Sequence, residues 1–201
     1  MRCPIDRTVE SFIQLIMDSL ENVGDEYYKI TTTYRTLGIV RERVFCYELY
    51  HQMRLVQYTR GLTGVQIHGE IDKRGHVVFG NHARKNPDFV FHVPGTMEGN
   101  AIVVEVKGKF AGNYQRGICK DIETLSKFTE NKHYYKLGVL IIYNYTIDEF
   151  WEKTGEFLKD KLQENKVPTD KIIIICKKCK SIPSDKRMLN ELLEEVDNGR
   201  A

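Results

Sequence analysis

Acidic residues and one lysine stand where two short β-like stretches of the sequence begin or end. Pro87-Asp88 precedes one apolar stretch, and Glu105-Val106-Lys107 ends the next. Residues two apart in a strand point to the same face, so Glu105 and Lys107 would lie side by side. If the two strands pair as a hairpin, Asp88 converges on them. Such a site would suit a hard divalent cation beside an amine that acts on water.

The two carboxylates predict a bound cation. Neighbouring carboxylates repel, and one takes up a proton unless a cation neutralises the pair. We expect Mg²⁺, with Mn²⁺ as a substitute, because Mg²⁺ prefers carboxylate oxygens. Such a cation polarises a phosphodiester, while Lys107 orients or helps to deprotonate the attacking water.

A purely structural interpretation stays open. Glu105 and Lys107 could form a solvated ion pair at a strand end, and Asp88 could begin a strand after a turn proline. The spacing Glu-x-Lys also occurs at 130–132 and 164–166, in helical or loop sequence. Only Glu105 and Lys107 end a β-branched strand, which favours the functional interpretation.

Alternating helices and strands are predicted to position these residues. Helices are expected over 6–23, 41–58 and 117–134, around 150–162, and after a cap at Ser184; strands over 65–73, 77–79, 89–93, 101–107, 137–143 and 171–176. Early strands can form hairpins, whereas later ones, separated by helices, must cross over. This order predicts one α/β domain over residues 1–201, with a mixed central sheet flanked by helices.

The two motifs and their order of elements resemble the PD-(D/E)xK nuclease superfamily, which has the restriction-endonuclease-like fold. The resemblance covers about residues 41–143, where helix, three strands, helix and strand match the αβββαβ core. The N-terminal helix 6–23 and residues 147–201 would be additions to that core. As implied by the resemblance, Asp88, Glu105 and the Val106 carbonyl would bind metal, and Lys107 would be the catalytic lysine. Glu48, on the preceding helix, would serve a second metal or its water.

The resemblance implies a Mg²⁺-dependent endodeoxyribonuclease of bacterial or phage genome defence or DNA processing. Two further residues are weaker candidates for the site, Glu70 as a further metal ligand and Gln115 as the glutamine of the following helix. Glu70 lies on the first predicted strand of the core, with His68 and Asp72 on its face. Gln115 stands before the helix on which RecB-type members carry Gln and Tyr, although its spacing to Tyr134 departs from their pattern.

Two alternatives come from other functional classes. One is a non-catalytic nucleic-acid-binding or assembly subunit of a larger defence or repair complex. The other is a zinc-stabilised interaction module at Cys176-Lys177-Lys178-Cys179, for which a second CxxC pair is missing from the sequence.

Net charge alone predicts no partner. Thirty Lys and Arg against 28 Asp and Glu give a formal charge of +2, so DNA affinity must come from local charge. The stretch 73–87 has no acidic residue, and further arginines lie on the helix that carries Glu48. We expect DNA phosphate contacts from Arg41, Arg43, Lys73, Arg74, Arg84 and Lys85.

Composition indicates a globular protein outside the membrane. Apolar residues make up 41% of the chain, yet no apolar run approaches the roughly 18 residues of a membrane span. Five cysteines, an odd number and mostly scattered, favour a reducing compartment, so a cytoplasmic location is expected. A homodimer is a further expectation, because two sites facing opposite strands would cut a duplex most easily.

Overall fold

The computed structural model describes residues 4–33, 35–70, 86–96, 99–108, 112–130 and 135–197. Within these ranges the elements are α1 (Pro4–Asn22), α2 (Asp25–Tyr28), β1 (Ile30–Thr32), β2 (Arg35–Ile39), α3 (Glu42–Thr59), β3 (Gln66–Gly69), β4 (Phe89–His92), β5 (Ile102–Lys107), α4 (Tyr114–Thr129), β6 (Leu137–Tyr143), α5 (Ile147–Glu164), β7 (Ile172–Lys177), β8 (Asp185–Met188) and α6 (Leu189–Asp197).

Strands β3 to β8 form a six-stranded sheet in chain order. The pairs β3–β4, β4–β5 and β7–β8 are antiparallel, whereas β5–β6 and β6–β7 are parallel. Each parallel pair is joined through a helix, because parallel neighbours need a crossover. The predicted α/β class with a mixed sheet flanked by helices is therefore confirmed.

Helices cover both faces of this sheet and create two apolar cores. On β5, Ile102, Val104 and Val106 belong to the core that includes side chains of α1 and α3. Val103 belongs to the second core, with side chains of α4, α5 and α6. Alternation along the strand then places Glu105 and Lys107 on the Val103 face, at the end of a buried central strand.

Several boundaries differ from those predicted. Within the described part of the strand expected over 65–73, β3 covers Gln66–Gly69. Residues 71–73 and the strand expected over 77–79 lie outside the described residues. The helix expected over 117–134 begins at Tyr114 and ends at Thr129. The separate β1–β2 hairpin was not predicted.

The prediction that Ser184 caps the last helix is wrong. Residues Asp185–Met188 form β8 against β7, and α6 begins only at Leu189. The amide and the hydroxyl of Ser184 both donate to Glu21 Oε1, each at 2.7 Å. Ser184 therefore links the β7–β8 connection to α1 instead of capping a helix.

Helices long and apolar enough to cross a membrane are absent from the described part of the chain.

Candidate functional site

Asp88 immediately precedes β4, and Glu105 lies on the neighbouring strand β5. Phe89 pairs with Val104, so Asp88 and Glu105 are the residues that follow the last observed pair of this antiparallel register. The row continues onto β3, where the Glu70 amide donates to the Asp88 carbonyl at 3.1 Å. The three acidic residues predicted from the sequence thus belong to three neighbouring segments of the sheet, with Glu70 just after β3, Asp88 just before β4 and Glu105 on β5.

The carboxylate of Asp88 is anchored to the strand that carries Glu105 and Lys107. The amide of Val106 donates to Asp88 Oδ2 at 2.7 Å. Asp88 is therefore fixed against the backbone between those two residues. The contact that the structure gives to Val106 uses its amide, whereas the resemblance implied its carbonyl.

Lys107 lies among acidic side chains from two different helices. Its Nζ is 3.3 Å from Glu42 Oε1 on α3 and 3.4 Å from Asp121 Oδ2 on α4. The second oxygen of Glu42 accepts a hydrogen bond from the Gly108 amide at 3.3 Å. The side chain of Lys107 is 27% exposed, so part of it can still meet a ligand from solvent.

Burial and charge shift two pKa values in this cluster upward. Burial raises the pKa of Asp88 to about 6, although the Val106 amide and the Lys107 charge act in the opposite direction. Burial alone would lower the pKa of Lys107, but it is outweighed by the surrounding carboxylates and the pKa rises above its ordinary value. Those carboxylates belong to Asp121, Glu42, Asp88 and Glu105. The lysine is thus held as an ammonium ion, while negative charge on Asp88 is disfavoured without a further cation.

The donor chemistry at Asp88 and Glu105 fits Mg²⁺. This ion is commonly held by one or two carboxylates, with water and substrate phosphate completing its shell, so Asp88 and Glu105 are a sufficient set of protein ligands. Groups of three or more His, Cys, Asp or Glu side chains able to hold a metal ion are not found among the described residues. The ammonium of Lys107 lies between Glu42 and Asp121 and forms an ion pair with each carboxylate.

Three predicted site residues make other contacts. Glu48 accepts a hydrogen bond from Gln52 Nε2 at 2.6 Å, one turn further along α3. Gln115 donates to the carbonyl of Lys153 on α5 at 2.8 Å. Glu70 Oε1 lies 3.2 Å from Arg43 Nε, and both side chains are more than half exposed. The α3 glutamate that contacts Lys107 is Glu42. The role that the resemblance implies for Glu48, at a second metal or its water, stays a prediction.

The predicted phosphate-binding residues are only partly described. Arg41 and Arg43 are exposed at the start of α3, on the side of the sheet that Glu42 approaches. Lys73, Arg74, Arg84 and Lys85 lie outside the described residues.

A cavity of about 760 Å³ opens beside Asp88. It lies between α3 and the ends of β3 and β4. Its lining includes Glu42, Arg43, Tyr47, Tyr50, His68, Glu70, Asp88 and Phe89. The volume lies within the range of ligand-binding clefts, so the cavity can admit a substrate group next to Asp88.

Comparison with protein-family models, curated proteins and solved structures finds no match. The chemistry of the site is therefore the basis for inferring a function.

Sequence reasoning missed Glu42 and Asp121. Asp121 carried a signal, because it falls in the apolar stripe of α4 between Ile118 and Leu125, at helical spacing from both. An acidic residue in such a stripe needs a partner, which here is Lys107. Glu42 carried no comparable signal, since an acidic residue in the first turn of a helix is common for reasons of helix stability alone.

The CxxC pair has two different environments. Cys176 is buried in the second core, whereas Cys179 Sγ lies 3.3 Å from Ser181 Oγ near the surface. These separate surroundings favour structural roles for the two cysteines over a shared zinc ion.

Proposed function

We propose that this protein is a metal-dependent nuclease that hydrolyses DNA phosphodiester bonds, an endonuclease of bacterial or phage genome defence or DNA processing. The observation that carries the proposal is the hydrogen bond from the Val106 amide to the Asp88 carboxylate, which fixes Asp88 against the strand that carries Glu105 and the charged Lys107. The order α3, β3, β4, β5, α4, β6 supports it, since this is the αβββαβ order expected of the PD-(D/E)xK superfamily.

Asp88 and Glu105 are the proposed ligands of Mg²⁺. The ion would supply Lewis-acid activation of the phosphate and offset the cost of charging Asp88. Asp88 contributes a carboxylate that its hydrogen bond to Val106 holds in one orientation. Glu105 is 9% exposed, so its carboxylate acts in a site with little competing water.

Lys107 is proposed to hold the attacking water or a phosphate oxygen by donating a hydrogen bond. Its raised pKa keeps the ammonium protonated at neutral pH, which favours donation over removal of a proton. A positive charge at this position also stabilises the negative charge that develops on the phosphate. Glu42 and Asp121 act as positioning residues, because they fix the ammonium from two helices.

One observation favours the alternative of a non-catalytic nucleic-acid-binding subunit. Lys107 forms ion pairs with Glu42 and Asp121. The cluster can therefore also be explained as a structural contact that holds α3 and α4 against β5. Under this alternative the same chain binds DNA without cutting it.

The deciding experiment measures cleavage of plasmid, linear, branched and single-stranded DNA, and of RNA, in Mg²⁺, Mn²⁺ or EDTA. Wild type is compared with Asp88→Asn and Lys107→Met. Lys127→Ala, which changes an exposed lysine of α4, is the matched control. We expect metal-dependent DNA cleavage by wild type and by the control, and at least a hundredfold loss in both site variants, consistent with about 3 kcal/mol of transition-state stabilisation.

Metal binding provides a second and independent measurement. Mg²⁺ should raise the melting temperature of wild type, since a ligand that binds only the folded state stabilises it. The same addition should leave Asp88→Asn unchanged. Folded wild type that neither cuts any substrate nor responds to Mg²⁺ or Mn²⁺, yet binds DNA, would overturn the nuclease proposal in favour of the binding subunit.

A further inference from the structure

Five exposed side chains form one stripe along the outer face of α3. The stripe consists of Arg43, Tyr47, His51, Arg54 and Tyr58, spaced four, four, three and four residues apart. At 3.6 residues per turn, this spacing keeps all five within about 40° of a common line. Tyr47 is 62% exposed and Tyr58 is 87% exposed, so most of each side chain is accessible to a ligand.

The composition of the stripe suits a polyanion with flat apolar groups. It contains two arginines, one histidine, two tyrosines and no acidic residue. The two glutamates of α3 lie away from it, since Glu42 contacts Lys107 and Glu48 accepts from Gln52. Arginines can bind phosphates and tyrosine rings can stack on nucleobases, which together are the features of a surface for single strands.

The stripe begins at the proposed active site. Arg43 and Tyr47 line the same cavity as Asp88. From Arg43 to Tyr58 the helix extends by 15 residues, or roughly 22 Å. Arg43 is paired with Glu70, but the two side chains are 70% and 55% exposed, and a pair of that kind is weak enough for a phosphate to replace it.

We propose that this stripe binds single-stranded DNA and leads it to the cavity that Asp88 lines. The proposal rests on the proposed function and adds the substrate class: single-stranded DNA, or the unpaired strand of a branched molecule. Exposed aromatic rings favour a single strand, because a duplex conceals the base faces on which they would stack. Tyr47 and Tyr58 stack on bases, and Arg43 and Arg54 contact phosphates.

The test measures binding of a labelled single-stranded oligonucleotide by fluorescence anisotropy in EDTA, where no metal-dependent cleavage can occur. Tyr47→Ala and Tyr58→Ala should each weaken binding by about 5- to 150-fold, the effect of losing one stacked base. Tyr47→Phe and Tyr58→Phe keep the ring and should bind like wild type. Arg54→Ala should lower the slope of log affinity against log salt by about 0.7, the value for one phosphate contact to a single strand.

Two exposed residues serve as matched controls. Leu55→Ala changes an exposed apolar residue of α3 outside the stripe, and Arg116→Ala changes an exposed arginine of α4. Both should bind the oligonucleotide like wild type. Equal affinity of the two tyrosine-to-alanine variants and wild type would overturn the stripe, as would tighter binding of duplex DNA or of single-stranded RNA than of single-stranded DNA.

The two proposals fail in different ways. If metal-dependent cleavage persists in the tyrosine-to-alanine variants and their DNA binding is unchanged, the nuclease proposal is supported and the stripe proposal is contradicted. If DNA binding depends on both tyrosines but the protein cuts no substrate, the stripe proposal is supported and the nuclease proposal is contradicted.

Discussion

Glu42 forms an ion pair with Lys107, which lies 65 residues further along the chain. One carboxylate oxygen lies 3.3 Å from the lysine Nζ, and the other accepts from the amide of the next residue, Gly108, at 3.3 Å. The first residue of α3 therefore holds both the side chain and the backbone at the end of β5. The position of the lysine depends on how α3 docks onto the sheet.

This contact predicts energetic coupling between the two residues. Lys107→Met should destabilise the protein by about 2 to 4 kcal/mol at neutral pH, because it leaves several carboxylates without their cation. Adding Glu42→Gln should recover part of that loss, since glutamine removes one charge and still accepts from Gly108. Urea unfolding of the four proteins should give a coupling energy of about 1 to 2 kcal/mol.

The exposed pair Lys161 and Glu164 on α5 is the control for this cycle. Its coupling should be much smaller, because solvent screens both charges. Additive effects of Lys107→Met and Glu42→Gln would contradict the structural relationship.

Asp88→Asn should stabilise the protein at neutral pH while abolishing its proposed activity. Burial raises the pKa of Asp88 from 3.8 to about 6, so between these values the folded state holds a proton that the unfolded state has lost. The stability of wild type therefore falls as pH rises through about 6. Asparagine does not titrate, and it can still accept the Val106 amide.

The advantage of Asp88→Asn should grow between pH 4 and pH 7 to at most about 3 kcal/mol, at 1.36 kcal/mol per pKa unit. Unfolding in EDTA at several pH values measures it. Asp170→Asn, which removes an exposed carboxylate, sets the background. If the difference in stability between Asp88→Asn and wild type is the same at pH 4 and pH 7, burial does not raise the pKa of Asp88.

The parts of the fold that were predictable are those in which one local pattern decides the structure. Strand β6 has the predicted bounds, Leu137–Tyr143, because a continuous apolar run fits only a buried strand of that length. Strand β8 was missed, because Asp185–Met188 carries charged residues and becomes a strand by pairing with β7. The antiparallel pairing of β4 with β5, which brings Asp88 against the strand that carries Glu105, agrees with the hairpin assumed for the two motifs.

The remainder of the site could not be read from spacing. Glu42 and Asp121 reach Lys107 from helices on opposite sides of the sheet, so their convergence depends on the packing of α3 and α4. Glu48 lies on the same helix as Glu42 but accepts a hydrogen bond from Gln52, and its role at a second metal stays a prediction. A single sequence gives the order of elements more readily than the rotation of each helix against the sheet.

Gly108→Ala should disrupt the end of β5. A Cβ at this position would lie 1.9 Å from the ring of Tyr143, which is fully buried and stacked on Phe45 with ring centroids 3.9 Å apart. The ring has no room to move, so we expect a loss of about 3 kcal/mol or more. Gly108→Ala combined with Tyr143→Leu should recover part of this stability.

Gly117→Ala is the matched control for this substitution. A Cβ there meets no atom within 4 Å, and Gly117 lies inside α4. Alanine should therefore stabilise the protein by about 0.5 to 1 kcal/mol, the usual gain inside a helix. Thermal unfolding of both variants measures the contrast, and a stable, active Gly108→Ala protein would argue against close packing of Tyr143 on the strand that carries Lys107.

Lys177 forms the buried ionic contact that ties α1 to the β7–β8 connection. Its side chain is fully buried, and its Nζ donates to the Glu21 carboxylate and, at 2.7 Å, to the carbonyl of Ile182. Burial alone would raise the pKa of Glu21, but bonds from Lys177 and Ser184 lower it below its ordinary value. The contribution of Glu21 to stability is thus present above its ordinary pKa and is lost as pH falls through the lowered one.

Lys177→Met should destabilise the protein by about 3 to 5 kcal/mol at pH 7, because it leaves the carboxylate and a carbonyl without their donor. Lys177→Met with Glu21→Met should be markedly more stable than the single variant, since a pair of apolar side chains replaces a broken ion pair. Lys178→Met, at a lysine that is 40% exposed and paired with Glu149, should cost less than about 1 kcal/mol. A similar small cost for Lys177→Met would mean that water reaches Nζ and that this contact does not hold α1 on the sheet.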